Sequence, residues 1–224
     1  MGSGLREFGL DTLRRLSEGG RDKEWHFFQS HLHWDHIMGF PFFVPAFIEG
    51  VKIVIHAGHS DAEEALRRQQ EEISFPVPFD WLKAEIEFRT IETDKVYEIG
   101  ELKVSMVKQD HSHDSYGWRF EDAQGRVAVY STDAEYKIEK MDEEYAMAEF
   151  IAGADLFIAD TMYSLADSVS MKEDWGHSSN IVAVDLCRVG EAKRLALFHH
   201  EPTYSDADIE RMHAETIRYE ELTR

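Results

Sequence analysis

The chain has 224 residues, 43% of them hydrophobic, and a formal charge of −20, which predicts one globular domain with a real core and excludes a disordered polymer. Its only cysteine, Cys187, excludes an intrachain disulfide and leaves any metal site to histidine and carboxylate. No apolar run reaches the roughly 18 residues of a membrane span, and the acidic balance leaves no basic stripe for a phosphate backbone, so neither a membrane nor a long nucleic acid is an expected partner.

In chain order, Leu5, Phe8, Leu13 and Leu16 fall near helical spacing and predict a helix over 5–17. "EWHFFQ" (24–29) reads as a strand leading into "SHLHWDH", and "VKIVIHAG" (51–58) as a second strand. The apolar run 37–50 reads as a short buried helix shaped by Pro41 and Pro45, the alternative being an apolar flap. A helix follows over 60–72 with Ser60 as N-cap, then an alternating strand over 84–91. Residues 97–110 predict two strands joined at Gly100, and 116–122 with 126–133 a hairpin turning at Gly125. The runs 154–160 and 193–200 read as buried strands, and helices are predicted over 142–152, 178–189 and 205–222, the last with a Ser205/Asp208 capping box. Strand clusters alternating with helices predict α/β layers, sheets inside and helices outside.

Strand after strand ends in a histidine or aspartate: His31, His111, Asp133, Asp160 and His199. In an extended segment, side chains two apart point the same way, so His31 and His33 can take two positions on one metal. Asp35 and His36 follow where the chain must turn, and can face a second metal. Two divalent ions roughly 3.5–4 Å apart are a known arrangement for hydrolysing phosphoesters.

"HLHWDH" (31–36) resembles the H-x-H-x-D-H signature of the metallo-β-lactamase superfamily, and the similarity runs from about residue 5 to 206. "QDHSHDSYGWRFE", "VYSTDAEY", "WGHSSN" and "LALFHHEPTYSD" resemble the family's later motifs. The likeness is strongest to the phosphodiesterase branch, with its tRNA 3′-processing endonucleases, phosphoribosyl cyclic phosphodiesterases and phosphorylcholine esterases. The resemblance implies a four-layer αβ/βα sandwich in a single domain over 1–224 and a dinuclear metal site. By the same resemblance His31, His33 and His111 hold one metal, Asp35, His36 and His199 the other, and Asp133 bridges them. His199 is preferred to His200 because the family step reads histidine, two residues, proline, which His199 and Pro202 satisfy.

The expected cofactors are two divalent ions, zinc first, with manganese and iron as alternatives. Four positive charges against Asp35, Asp133 and a bridging hydroxide leave a site near +1, suited to a small phosphodiester anion such as a cyclic nucleotide. Asp35 and His177 are the expected catalytic residues, His177 as the proton donor to the leaving group in hydrolysis by the bridging hydroxide. Asp160 is expected beside a histidine; His200, His113, Asp114 and Tyr163 are candidates for lining the pocket, and Trp118 for stacking or core. Trp34 is expected to pack, and His26, His56, His59 and His213 match no motif.

"MGSGLREFG" resembles the middle of the family's D-x-G-x-G-L-R segment, so the first strands of the fold are expected to be missing and a sheet edge exposed. A homodimer in which another chain supplies them is one expected arrangement, and with no apolar leader the expected location is cytoplasmic. The rival readings are another hydrolase of the same fold (thioesterase, lactonase or β-lactamase), a metal-binding but inactive protein, and a di-iron oxygen-chemistry protein.

Overall fold

The computed structural model describes residues 1–136, 146–164 and 176–224. The chain divides into two compact units, Met1–Glu92 and Thr93–Arg224.

In the first unit, helix α1 (Gly4–Ser17) precedes strand β1 (Glu24–Gln29), the one-turn helix α2 (Trp34–Ile37), strand β2 (Lys52–Ala57), helix α3 (Ala62–Gln69) and strand β3 (Glu85–Thr90). The three strands form a parallel sheet in the order β1-β2-β3, with Phe27 opposite Ile55 and Ile55 opposite Phe88. Parallel neighbours need crossovers, and α2 with two 3₁₀ turns and then α3 supply them. One face, carrying Ile53 and Ile55, packs on Phe40, Phe43, Ala46, Leu66 and Phe79.

Several sequence expectations change here. The run 37–50 is not one helix: it forms 3₁₀ turns at Phe40–Phe42 and Val44–Phe47, because Pro41 and Pro45 each sit where a longer helix would need a donor. The helix expected from Ser60 starts at Ala62, and its N-cap is Asp61. In α1 the buried positions are Leu5, Gly9 and Thr12, while Phe8 and Leu13 are more than a third exposed. At Gly9 the approach is close, since a Cβ there would lie 3.0 Å from the Phe43 ring, while Phe8 stacks on that ring at 5.9 Å from the helix's more exposed side.

In the second unit, strands β4 (Tyr97–Ile99), β5 (Leu102–Gln109), β6 (Ser115–Glu121), β7 (Val127–Ser131), β8 (Leu156–Asp160) and β9 (Leu195–Phe198) form a six-stranded sheet in sequence order. Pairing is antiparallel from β4 to β7 and parallel from β7 to β9. Helices α4 (Ala146–Ile151) and α5 (Asn180–Val189) cover one face, with Val129, Ile151, Phe157 and Leu186 at the centre of the core. Helix α6 (Asp206–Thr223) carries the reciprocal Ser205/Asp208 capping box. Residues 142–145 of the helix expected over 142–152 lie outside the described residues. The final strand is not buried as expected: among the described residues β9 is the sheet edge, and Phe198 is 41% exposed. Trp118 is fully buried, so it belongs to the core and not to a stacking surface.

This topology has a direct consequence. β5 is antiparallel to β6 and β6 to β7, so β5 and β7 run the same way, and β8 and β9 are parallel to β7. Residues 111, 133, 160 and 199 therefore all emerge at one edge of this sheet, the edge where ligands bind in α/β proteins.

Candidate metal centre

The first unit brings its four motif residues together. His31 and His33 each offer a ligand atom within 4.8 Å of the other, and so do Asp35 and His36. The His31 ring centroid lies 4.6 Å from that of His33 and 4.3 Å from that of His36, and His36 Nε2 is 3.0 Å from Asp35 Oδ2. His31 and His36 are buried, which concentrates donors where water is scarce. The loop is fastened from beneath by Gln29, the last residue of β1. Its buried amide donates to the carbonyls of both His31 and His36, the latter at 3.1 Å. One side chain thus spans the whole H-x-H-x-D-H stretch.

The second unit repeats the device. Gln109, the last residue of β5, donates to the Thr132 carbonyl at 2.7 Å and accepts from Ser131 Oγ at 2.6 Å, holding the β7 end that carries Asp133. Sequence reasoning missed both glutamines as site residues. The signal was available, since Gln29-Ser30-His31 and Gln109-Asp110-His111 share the spacing glutamine, one residue, histidine.

His111 Nε2 lies 3.8 Å and His199 Nε2 3.5 Å from one oxygen, Oδ2 of the buried Asp133. These separations exceed a good charge-assisted hydrogen bond, and they match two imidazoles and a carboxylate facing a common point. The far nitrogen of His111, Nδ1, donates to the Gly176 carbonyl at 2.8 Å, which fixes the tautomer and leaves Nε2 with its lone pair. Asp133 and His199 both have left-handed backbones, with φ of 51° and 60°, so the chain bends sharply at each strand end to aim these side chains. Imidazole nitrogens with carboxylate oxygens are a donor set that divalent zinc, manganese or iron accepts, so the residues present fit such an ion.

His177 and Asp160 group with His199, their ligand atoms lying within 4.8 Å of one another. His177 Nδ1 lies 2.7 Å from Oδ2 of the fully buried Asp160, whose oxygens also accept from the backbone N–H groups of Ala134 and Met162 at 3.0 Å each. The His177 ring stacks on His199 at 5.1 Å and meets the edge of Tyr163 at 6.0 Å. Tyr163 is 1% exposed, and burial, reinforced by the Glu201 and Asp160 charges, pushes its hydroxyl up to about 12. It is a wall for His177 and stays protonated.

Three candidates, His113, Asp114 and His200, do not join these His/Asp groups among the described residues. His113 sits exposed in the β5–β6 turn with φ of 66°, and its neighbour Asp114 pairs with Lys108 at 2.6 Å. His200 does not join His199: β9 ends at Phe198, so strand alternation does not govern either residue, and the left-handed turn at His199 separates them. His200 Nδ1 is buried with no hydrogen-bond partner among the described residues, and burial, with the charge of His199, pulls the ring below its ordinary value while Asp160 opposes. Trp34, expected to pack, is 68% exposed because the first position of the short α2 faces outward.

A family model described as a beta-lactamase superfamily domain matches residues 26–200. No curated protein matches the sequence. Among solved structures, the chain is similar to the metallo-beta-lactamase fold protein YhfI from Bacillus subtilis at 18% identity, covering 85% of this chain and 70% of that one with a TM-score of 0.64. It is similar to human tRNase Z, short form, at 19% identity, 79% and 73% coverage and a TM-score of 0.62. Unliganded yeast PDE1 matches at 16% identity, 94% and 69% coverage and a TM-score of 0.60. At these identities the likeness shows the fold, the metallo-β-lactamase fold, and no more.

Proposed function

The chain belongs to the β-lactamase superfamily, most of whose members are metal-dependent hydrolases, and on that premise we propose that it hydrolyses a small phosphodiester at a dinuclear site. The observation that carries this reading is the approach of His111 Nε2 and His199 Nε2 to the same oxygen of Asp133, 3.8 and 3.5 Å away. A carboxylate placed so between two histidines is suited to being shared by two ions. By the family resemblance of the motifs, His31, His33 and His111 would hold one ion and Asp35, His36 and His199 the other, with Asp133 available to both.

When bound, two divalent ions supply Lewis-acid polarisation of phosphoryl oxygens and a water acidified enough to act as nucleophile. The chain's own residues do the rest. Asp160 accepts from Nδ1 of His177 at 2.7 Å, which turns Nε2 outward as the atom that carries and releases a proton. The buried carboxylate stabilises the imidazolium before it protonates the leaving alkoxide, much as an aspartate supports a catalytic histidine elsewhere. Gln29 and Gln109 keep the two ligand-bearing loops from relaxing. Surface acidity, −20 overall, favours a small diester over a long polyanion.

The test pairs metal analysis by mass spectrometry with turnover of bis(p-nitrophenyl) phosphate, 2′,3′- and 3′,5′-cyclic nucleotides and p-nitrophenyl phosphorylcholine, with a thioester and a lactone as controls. The expected result is two ions per chain and turnover of at least one diester. Two ions with no diester turnover overturns the reading, and thioester or lactone turnover in that case assigns the site to another hydrolase.

A further inference from the structure

Within the first unit, a groove of about 790 Å³ opens beside the histidine loop, a volume typical of sites for small organic ligands. Trp34, Met38, Phe42, Arg68, Gln69 and Phe75 line it. Trp34 is the residue between His33 and Asp35, so the groove begins at the ligand-bearing loop itself. Its aromatic surface is left open: Trp34 is 68% and Phe42 48% exposed, and Phe42 meets Phe75 edge to face at 5.5 Å. A large apolar side chain left open on a surface marks a binding site more often than a packing accident when several share one concavity.

We propose that this groove selects substrates carrying a neutral planar ring with a hydrogen-bond acceptor, such as a heterocyclic base, and that Trp34 and Phe42 determine that specificity by stacking on it. The proposal deepens the phosphodiesterase reading and rests on it for the phosphate chemistry. Three features favour this occupant. Indole and phenyl faces bind flat rings with little demand on their exact identity. Gln69 belongs to the lining, and its buried Nε2 has no hydrogen-bond partner among the described residues, a donor suited to a ring acceptor. Asp61 and Glu64 also line the groove, so among the described lining residues two carboxylates accompany one guanidinium, that of Arg68. That balance repels a second phosphate, and it makes the occupant the organic group of the diester.

The experiment is a fluorescence titration of the whole protein with adenosine, ribose and choline, none of which requires turnover. Adenosine should quench tryptophan emission saturably and ribose should not. Trp34→Phe keeps a ring and should retain binding with a smaller quench. Phe42→Ala and Trp34→Ala should weaken adenosine roughly 5- to 100-fold, and Gln69→Leu should weaken it less, with circular dichroism confirming that each variant is folded. Equal response to adenosine and ribose, tighter binding of choline, or adenosine binding indifferent to all these variants overturns the proposal. Saturable adenosine binding that the variants abolish, in a protein that cleaves no diester, supports the groove and sinks the phosphodiesterase reading.

Discussion

His111 donates from Nδ1 to the carbonyl of Gly176 at 2.8 Å, and position 176 admits no side chain, because a Cβ there would lie 2.5 Å from that same nitrogen. Gly176 also has φ of +79°, a conformation that L side chains rarely adopt. The glycine therefore fixes the direction of His111 without itself offering a ligand atom.

Gly176→Ala should push the His111 ring off its carbonyl and lower metal affinity about 10- to 100-fold, the usual effect of losing such an outer contact. Competition with a chelator followed by mass spectrometry measures it. An unchanged affinity would show that His111 is positioned by something other than this contact.

His199 and His200 are separable by metal stoichiometry. His199 faces Asp133 at 3.5 Å and stacks on His177, whereas His200 buries Nδ1 without a hydrogen-bond partner among the described residues. His199→Ala should lose about one of two ions per chain, and His200→Ala should keep both. The opposite pattern would move the ligand to His200 and take the bridging role of Asp133 with it.

Much of this was legible before folding. The β4–β5 and β6–β7 pairs were legible from alternation punctuated by Gly100 and Gly125, both glycines in the left-handed region at strand connections. Strand-end residues 111, 133, 160 and 199 could be picked from sequence because each closes an apolar run; that they share one edge follows only from the direction of β5 relative to β7, a property of pairing. The exposure of Trp34 was not legible, since a tryptophan inside a motif reads as packing until the one-turn length of α2 is known. Nor was the whole seating of α1: Leu5 is buried as its spacing suggests, and Phe8 stacks on Phe43 at 5.9 Å while staying 41% exposed, but the close approach to that ring is made at Gly9, which no apolar pattern marks. Hydrophobic pattern reports preference for the interior, and steric room decides which preferences are met.

The Asp160–His177 pair predicts a leaving-group signature. Asp160→Asn keeps the shape and removes the negative charge that stabilises a protonated His177. Turnover of a diester with an alkoxide leaving group should fall about 100-fold or more, while one releasing p-nitrophenolate, which needs little protonation, should fall by less than about 10-fold. Equal losses on both substrates would assign the pair to substrate positioning and remove His177 as proton donor.

The last prediction concerns stability away from the metal centre. His26 Nδ1 and His56 Nε2 lie 2.8 Å apart on adjacent strands β1 and β2, and His56 is fully buried and stacked on Phe28 at 4.8 Å. Burial, with the charges of His26 and Arg89 adding and Glu87 opposing, pushes His56 down from 6.5 to about 4. Between those two values the unfolded chain takes a proton at His56 that the folded chain refuses. The stability is therefore complete above about pH 6.5 and is lost as pH falls towards about 4. The loss from this side chain should be on the order of 1–2 kcal/mol. Urea denaturation of metal-free protein at pH 7 and pH 4.5 keeps loss of bound metal out of the comparison, and His56→Leu should flatten the difference between the two midpoints. An equal drop in wild type and His56→Leu would place the acid sensitivity in other groups, because a leucine at that position has no proton to take.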